Sequence, residues 1–548
     1  MTDARVFGKV PLSGTDGSRR YDVDVLVLGG GPAGTWAAIS AAARGASVLL
    51  ADKGYCGTSG ATAPSGTGIW YVEPDRQARE DAKASRYALG GHLAEPAWMD
   101  RVLEQTWVNL HHLAEWGYPF PVDQDGKPQR NSLQGPEYMR LMRKRVKEAG
   151  AQIIDHSPAL ELLVNDDGAV CGATGVNRQS GDTWVARAGA VVIATGGCAF
   201  LSRALGCNVL TGDGLLMAAE VGAELSGMEF SNAYGLGPAF SSVTKSLFYN
   251  WATFYRADGS EIEGAGSAKG RGLIADTLRT EPVYAQLDRA DAQLQAWMRG
   301  AQPNFFLPFD RQGIDPFTQR FPVTLRLEGT VRGTGGLNVV DGHCATNVPG
   351  LYAAGDAATR ELICGGFTGG GSHNAAWALS SGFWAGAGAA EFGRQAKASI
   401  RRGALRAGEV GLHTRGQQRW DANEVVRAVQ AEVFPYERNW TRQADLLEDS
   451  LTRLDALWTR IRSSAPAADL QQAVRAREAA ALLATSRWMY RSALARTETR
   501  GMHRRKEHAV LDTSQRHRLV SGGLDEVWLR REDKAYRTPQ AAPEGVSA

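Results

Sequence analysis

Cysteine, net charge and long apolar runs are all scarce in this chain of 548 residues. Its six cysteines, at positions 56, 171, 198, 207, 344 and 364, form no Cys-x-x-Cys pair, which argues against a disulfide framework and against a bound zinc ion or iron–sulfur cluster. The formal net charge is only +2, so no general attraction to nucleic acid is expected. We therefore predict reduced thiols, a cytoplasmic location and no metal site.

No stretch has the composition of a membrane span, which needs about 20 mostly apolar residues. Residues 362–390 come nearest, because they contain no Asp, Glu, Lys or Arg. They are rich in Gly and Ser, however, and include the run Gly365-Gly366-Phe367-Thr368-Gly369-Gly370-Gly371-Ser372-His373-Asn374. This composition favours a buried loop followed by a helix, and we predict no transmembrane segment.

Glycine, by contrast, is abundant at 64 residues, and one glycine cluster lies between predicted secondary-structure elements. Residues 21–28 are typical of a buried strand, 35–44 of a helix, and 46–51 of a second strand. The cluster Gly29-x-Gly31-Pro32-Ala33-Gly34 joins the first strand to the helix. In a dinucleotide-binding turn the first glycine allows the tight turn, the second lets the backbone approach a pyrophosphate, and the third lets the helix pack on the strand.

The second predicted strand ends at Asp52, which Lys53 follows. An Asp at this place can accept hydrogen bonds from a ribose 2′-OH, while the alternative is an ordinary surface Asp beside a tight turn. Further strands are predicted at 152–154, 159–164, 169–176 and 189–195, and helices at 136–149 and 214–224. NAD and FAD share this fingerprint, so the pattern predicts a dinucleotide site without choosing between them.

Five further segments, in chain order, favour FAD over NAD. They are Ala194-Thr195-Gly196-Gly197, Thr211-Gly212-Asp213-Gly214, Gly227-Met228-Glu229-Phe230, Gly350-Leu351-Tyr352-Ala353-Ala354-Gly355-Asp356 and Thr499-Arg500-Gly501-Met502-His503. Together they resemble the fumarate reductase/succinate dehydrogenase flavoprotein family over about residues 20–510. In character the chain is most similar to the flavin subunit of adenylylsulfate reductase and its uncharacterised relatives.

The resemblance implies an α/β fold in which a Rossmann-like FAD-binding domain is interrupted by an α+β capping domain and followed by a C-terminal helical domain. The corresponding predicted boundaries are an N-terminal extension at 1–20, the first part of the FAD-binding domain at 21–225, the capping domain at 226–330, the second part of the FAD-binding domain at 331–400, the helical domain at 415–534 and a disordered tail at 535–548.

The resemblance also implies which residues hold FAD: Gly29, Gly31, Pro32, Ala33, Gly34, Asp52, Lys53, Thr58, Ser59, Gly60, Ala61, Thr195, Gly196, Gly197, Thr211, Asp213, Gly355, Asp356, Gly371, Ser372 and Asn374. Some relatives attach FAD covalently through a histidine after the first β-α-β unit, but residues 58–66 contain none, so we predict non-covalent FAD. The alternatives are that Asp213 only caps a helix and that the Ser and Thr side chains only satisfy loop backbone. A helix starting near Gly371 would stabilise negative charge on the reduced flavin.

The residues that clamp both carboxylates of succinate or fumarate in the family are missing here. Tyr234 lies where a family histidine is found, Arg332 lies near the place of a second histidine, and Phe367-Thr368 replaces an arginine segment. A dicarboxylate substrate is therefore not expected. The candidate catalytic residues are Arg271, Arg332, Tyr234, His373, Arg500 and His503. Arg271 is expected to bind an anion first, since arginine is hard to deprotonate; equally, it could be a surface arginine, and each histidine could be structural.

The sequence thus predicts an FAD-dependent dehydrogenase or reductase. Its substrate would be a small anion, and its electrons would pass to or from a carrier such as a ferredoxin-like iron–sulfur protein, because this chain has no cluster ligands. Two alternatives stay open: a flavin oxidase or monooxygenase that uses O₂, and a non-catalytic flavoprotein subunit that organises a complex.

Overall fold

The computed structural model describes residues 10–11, 18–122, 126–244, 247–266, 270–368, 371–395, 404–414 and 416–532. Most of the predicted extension at 1–20 and all of the predicted tail at 535–548 lie outside the described residues. The described strands are β1 (Val10–Pro11), β2 (Arg19–Leu28), β3 (Val48–Ala51), β4 (Gly66–Gly68), β5 (Ser132–Gln134), β6 (Gln152–Ile154), β7 (Ala159–Val164), β8 (Val170–Val176), β9 (Thr183–Ile193), β10 (Leu225–Ser226), β11 (Ala233–Pro238), β12 (Thr253–Tyr255), β13 (Val283–Gln286), β14 (Phe321–Gly329), β15 (Gly336–Leu337), β16 (Leu351–Ala353), β17 (Leu405–Arg406), β18 (Arg518–Gly522) and β19 (Trp528–Glu532).

The helices range from single turns to 26 residues. The described ones are α1 (Pro32–Ala42), α2 (Arg76–Leu89), α3 (Pro96–Glu115), α4 (Gly135–Glu148), α5 (Asp213–Glu220), α6 (Gly270–Thr277), α7 (Ala292–Ala301), α8 (Pro303–Gln312), α9 (Glu361–Cys364), α10 (Gly371–Gln395), α11 (Ala422–Val433), α12 (Tyr436–Asn439), α13 (Ala444–Arg462) and α14 (Leu470–Ala495). Short 3₁₀ turns lie at Met228–Phe230, Leu247–Trp251, Gly355–Ala357 and Thr513–Gln515.

The main sheet has the order β1-β17-β7-β8-β9-β2-β3-β6, and β16 also pairs with β9. Strands β16, β9, β2, β3 and β6 run parallel, whereas β8, β7, β17 and β1 continue the sheet in antiparallel fashion. The last four residues of β2 are all buried, as is typical of a parallel strand that is covered on both faces. The carboxyl ends of β2, β3 and β9 therefore meet at one edge of the sheet, where an α/β fold places its ligand.

Helices α1 and α10 cover this sheet and touch each other through their backbones. A Cβ atom at Gly382 would lie 2.3 Å from the carbonyl oxygen of Ala33, and one at Gly386 would lie 2.2 Å from that of Ala37. Two glycines four residues apart lie on one face of a helix. The backbone of α10 can therefore pack directly against the backbone of α1 on that face. The uncharged stretch at 362–390 thus folds as α9 and a buried α10. Among the described residues, no helix is both long and apolar enough to cross a membrane.

Within residues 226–330 the chain forms a separate antiparallel sheet of order β11-β14-β13-β12, accompanied by α6, α7 and α8. We call this part the cap segment. A second small sheet, of order β15-β10-β18-β19, joins residues from the middle and the end of the chain. Helices α11 to α14 then form the C-terminal helical part. The predicted fold class is confirmed, while the domain boundaries stay predictions.

The helical part is tied to the nucleotide-binding part by a buried ion pair. Arg477 of α14 donates two hydrogen bonds to Glu220 of α5, at 2.6 and 2.5 Å. Both side chains are almost inaccessible, with 4% and 3% exposed. Burial lowers the pKa of Arg477, but the carboxylate of Glu220 outweighs this effect and raises the pKa overall.

Replacing Arg477 by Ala is expected to lower the free energy of unfolding by about 3–5 kcal/mol, because Glu220 is then a buried charge without its partner. The measurement is the thermal unfolding midpoint of the purified protein. Arg475→Ala is the control, since Arg475 lies on the same helix but is 58% exposed in its pair with Glu478 and should cost at most about 1 kcal/mol. Equal midpoints for the two variants would contradict this assignment.

Candidate functional site

A cavity of about 710 Å³ opens at the carboxyl ends of β2, β3 and β9 and extends to the cap segment. Many residues predicted to bind a cofactor line its wall: Gly29, Gly31, Pro32, Ala33, Asp52, Lys53, Ser59, Gly60, Ala61, Thr195, Gly196, Asp213, Gly355, Asp356, Ser372 and Asn374. Gly34, Thr58, Gly197 and Thr211 belong to the same loops and helix ends but are not part of the wall, and Gly371 begins α10. The fold therefore brings residues from seven separate runs of the chain to one cavity.

The three fingerprint glycines differ in what surrounds them. Gly29 has a φ of +108°, and a Cβ there would lie 2.2 Å from the carbonyl oxygen of Ala194. A Cβ at Gly34 would lie 1.8 Å from the carbonyl oxygen of Gly29. No protein atom lies within 4 Å of the position that a Cβ at Gly31 would take. Gly29 and Gly34 are thus needed for the turn itself, whereas Gly31 leaves space at the amino end of α1.

Asp52 organises the loop that faces this glycine turn. Its carboxylate accepts hydrogen bonds from the backbone N–H groups of Gly30 and Gly54, at 2.6 and 2.7 Å, and from the hydroxyl of Ser59 at 2.7 Å. The side chain lines the cavity although the residue is only 5% exposed. Because each carboxylate oxygen has two acceptor sites, Asp52 retains capacity for a ribose hydroxyl.

Lys53 is held by a buried polar cluster at the amino end of α5. Its ammonium group donates to Thr211 Oγ1 at 2.8 Å and to Asp213 Oδ2 at 2.6 Å, and it lies 2.8 Å from Glu478. Burial lowers the pKa of Lys53, but the carboxylates of Asp213 and Glu478 outweigh it and raise the pKa. Lys53 is therefore a fixed cation, and Asp213 both orients it and lines the cavity.

Asp356 and Arg360 connect two other parts of the wall. Arg360 Nη1 donates to Asp356 Oδ1 at 2.5 Å, and its Nη2 donates to the carbonyl oxygen of Thr330 at 2.6 Å. Arg360 is completely buried. It thus fixes the turn after β16 against the loop at 330–334, which contributes Val331 and Arg332 to the cavity.

The amino end of α10 also faces the cavity, through Ser372 and Asn374. Asn374 Nδ2 donates to the carbonyl oxygen of Val331 at 3.1 Å, which leaves Oδ1 as a buried acceptor without a hydrogen-bond partner. His373 is buried against Trp70, with ring centroids 4.6 Å apart, and is not part of the wall. Burial and the nearby Arg86 lower the pKa of His373 to about 3, so its imidazole is neutral.

The cap side of the cavity carries Arg271 and Arg332. Arg332 Nε lies 3.3 Å from Glu328 Oε2, and Thr244 donates to Glu328 Oε1 at 2.6 Å. Within the described part of the chain, no hydrogen bond or ion pair engages the guanidinium of Arg271. Surrounding protein lowers the pKa of Arg271 and the charge of Arg332 lowers it further, while Glu328 opposes both. Arg271 keeps exposed surface because it faces the cavity.

Tyr234, Arg500 and His503 lie away from the cavity wall. The hydroxyl of Tyr234 donates to the backbone carbonyls of Val433 and Phe434 at 3.1 and 3.2 Å. Arg500 is paired with Glu498 through two hydrogen bonds, at 2.6 and 2.9 Å. As catalytic residues, all three stay predictions.

His503 is a neutral imidazole whose tautomer can be assigned. Arg442 donates to its Nδ1 at 2.7 Å, so Nε2 carries the proton and donates to the carbonyl oxygen of Arg496 at 3.1 Å. Burial and the charge of Arg442 hold the pKa of His503 well below its usual range. Both ring nitrogens are therefore engaged inside the protein.

Several wall residues had no sequence signal. They come from the cap segment and from the two-stranded sheet β4-β5: Thr244, Phe248, Asn250, Trp297, Gln302, Gly66, Thr67, Gly68, Asn131 and Ser132. No motif marks the short strands, turns and helices to which they belong. Among the described residues, no group of three or more His, Cys, Asp or Glu side chains is arranged to hold a metal ion.

The glycine turn, the open space at Gly31, the amino ends of α1 and α10, and the unpaired Asn374 acceptor fit FAD. Two family models match the chain: one described as FAD binding domain, at residues 24–233, and one described as Fumarate reductase flavoprotein C-term, at residues 433–542.

Curated proteins are also similar to this chain over most of its length. The chain is 25% identical over 395 residues to a fumarate reductase flavoprotein subunit of Mycobacterium tuberculosis, which covers 62% of this chain and 65%, just under two thirds, of that protein. It is 28% identical over 440 residues to L-aspartate oxidase of Streptomyces coelicolor, covering 70% and 69% of the two chains.

Two solved structures share the fold. A variant of the Escherichia coli quinol fumarate reductase FrdA has a TM-score of 0.79 at 21% identity, covering 96% of this chain and 98% of that one. An adenosine-5-phosphosulfate reductase in complex with sulfite has a TM-score of 0.73 at 19% identity, covering 99% of both chains. The chain therefore contains an FAD-binding domain and a C-terminal segment that matches the model described as Fumarate reductase flavoprotein C-term, and it has the fold of these two structures.

Proposed function

We propose that the protein is an FAD-dependent oxidoreductase that transfers a hydride or electron pair between a small anionic substrate and an electron carrier. The carrier would be a separate protein, such as a ferredoxin-like iron–sulfur protein. The observation that carries this proposal is Arg271, a cation on the cavity wall without a hydrogen-bond or ion-pair partner among the described residues. Arg271 is exposed to the cavity rather than buried, so its guanidinium donors are open to a bound anion, with which they would form charge-assisted hydrogen bonds.

Different predicted cofactor residues would bind different parts of FAD. The amino end of α1, which begins after Gly31, would offer backbone N–H groups to the pyrophosphate, and Asp52 would accept from a ribose hydroxyl. Asp356 would hold the ribityl or phosphate part, and Ser372 and Asn374, which line the same cavity, would hold the flavin. FAD, when bound, supplies a ring that accepts or donates a hydride.

Attachment of FAD is proposed to be non-covalent. The segment at 58–66 contains no histidine, and the described residues that line the cavity include no histidine, cysteine or tyrosine. A side chain able to form a covalent flavin link is therefore missing from the wall as well as from the expected segment.

Arg271 would act first as an anion-binding residue. Its pKa is lowered by burial and by the charge of Arg332, yet an arginine starts so high that it remains protonated near neutral pH. Arg332 adds positive potential while Glu328 orients it at 3.3 Å. The amino end of α10 meanwhile favours negative charge on the reduced flavin.

A separate electron carrier is supported by the cysteines. All six are buried, and their positions include no Cys-x-x-Cys pair of the kind that holds an iron–sulfur cluster. Buried thiols also support the proposed cytoplasmic location. The second candidate function is an oxidase that uses O₂, which the 28% identity to an L-aspartate oxidase favours.

The two functions differ in how the reduced protein is reoxidised. We expect holoprotein reduced with dithionite to react rapidly with ferricenium, a one-electron acceptor, and slowly with air-saturated buffer. Stopped-flow absorbance of the flavin measures both rates. Fast reoxidation by O₂ with release of hydrogen peroxide would instead assign the oxidase function.

Gly31→Val is expected to abolish FAD binding and leave the fold intact, because the added side chain enters the open space rather than protein. Gly34→Val is the contrast, since its Cβ would lie 1.8 Å from the carbonyl oxygen of Gly29 and should prevent folding. Flavin absorbance per protein and far-UV circular dichroism report the two effects.

Acid precipitation of wild-type protein should release the flavin into the supernatant; flavin retained in the pellet would refute non-covalent attachment.

Arg271→Gln is expected to weaken the binding of acetate, malonate and sulfate to the holoprotein about tenfold or more, because a charged hydrogen bond is lost. Titration of the flavin absorption spectrum gives the dissociation constants. Arg256→Gln is the matched control, since Arg256 is also in the cap segment but is exposed and paired with Glu281 at 2.9 Å. Unchanged affinity in Arg271→Gln would remove the basis for an anionic substrate.

A further inference from the structure

We propose that the substrate is an acid with a flat, aromatic or conjugated body, whose anionic group meets Arg271 and whose body lies against Trp297 and Phe248. This inference rests on the proposed function and deepens it, because it names the substrate class of the same cavity.

The aromatic part of the wall comes from two elements of the cap segment. Trp297, on α7, lines the cavity and is 50% exposed. Phe248, in the 3₁₀ turn Leu247–Trp251, lines it too and lies edge-on to Trp297, with ring centroids 5.9 Å apart at 72°. A half-uncovered indole on a cavity wall offers a large apolar surface that a bound molecule can cover.

Two phenylalanines of α8 fix the position of the Phe248 ring. Its ring packs on Phe305 and Phe306 of α8, at centroid distances of 5.4 and 5.8 Å, and the residue is only 1% exposed. Phe248 therefore holds the indole of Trp297 edge-on, and the exposed face of that indole is the surface that suits another ring, because aromatic pairs prefer tilted or offset contacts.

Charge on this side of the wall indicates one anionic group. Arg332 already has Glu328 as its partner, whereas Arg271 has none within the described residues. The other cap-side wall residues, such as Thr244, Asn250 and Gln302, are neutral. A short dianion would leave one carboxylate without a cation and the indole of Trp297 still in contact with water. A monoanion with a flat apolar body satisfies both parts of the wall.

The test compares two monoanions of similar size in titrations of the holoprotein, with the flavin spectrum as the readout: trans-cinnamate, which is flat, and hexanoate, which is not. We expect cinnamate to bind roughly three- to tenfold more tightly. Trp297→Ala should abolish this preference, and Trp297→Phe should keep most of it. Trp528→Ala is the control, because Trp528 is also exposed, at 40%, but lies on β19 outside the cavity wall.

The outcomes separate this inference from the proposed function. Equal affinity for the two acids in wild-type protein, or a preference that survives in Trp297→Ala with normal flavin content, overturns the inference alone. If neither acid nor any other anion perturbs the flavin of the wild-type protein, the proposed anion site fails and the inference fails with it. Retention of the preference in Trp297→Phe guards against a fold defect in the Ala variant.

Discussion

The backbone contact between α10 and α1 is the constraint on which the rest of the cavity depends. Gly382 meets Ala33 and Gly386 meets Ala37, so the two helices run in the same direction and both begin at the cavity. Any side chain at either glycine would push α10 away from α1. With α10 in place, its amino end and that of α1 both lie at the cavity. Because helix amino ends favour negative charge, a chain with a net charge of only +2 can still favour an anionic ligand locally.

The buried charged residues Arg496, Glu498 and Arg500 of the C-terminal part do not line the cavity, but they connect the segments around it. Glu498 accepts hydrogen bonds from both Arg496 and Arg500, and Arg500 also donates to the carbonyl oxygen of Gly91. Arg496 in turn pairs with Glu229 at the start of the cap segment. The segment that resembled the family most clearly therefore fixes three distant parts of the chain relative to one another.

Local patterns predicted the parts of the fold that local interactions determine. The strands predicted at 152–154 and 159–164 are β6 and β7 with the same bounds, because alternating or continuous burial is visible in sequence. The fingerprint around Gly29 and Asp52 was equally readable. The aromatic wall at Phe248 and Trp297 was not, because a 3₁₀ turn and the middle of α7 meet only in the folded chain. The engaged ring nitrogens of His503 were invisible for the same reason: its partners Arg442 and Arg496 lie 61 and 7 residues away.

The parallel arrangement of α1 and α10 has a consequence for chain length. Gly371 begins α10 eleven residues before Gly382, and at 1.5 Å per residue this places the start of α10 about 16 Å beyond its contact with the first turn of α1. The number of residues between Gly371 and Gly382 thus determines how far the start of α10 lies from its contact with α1. An insertion or deletion between these two glycines would shift the helix start by 1.5 Å and rotate it by about 100° per residue. Such a change would turn Ser372 and Asn374 away from the cavity.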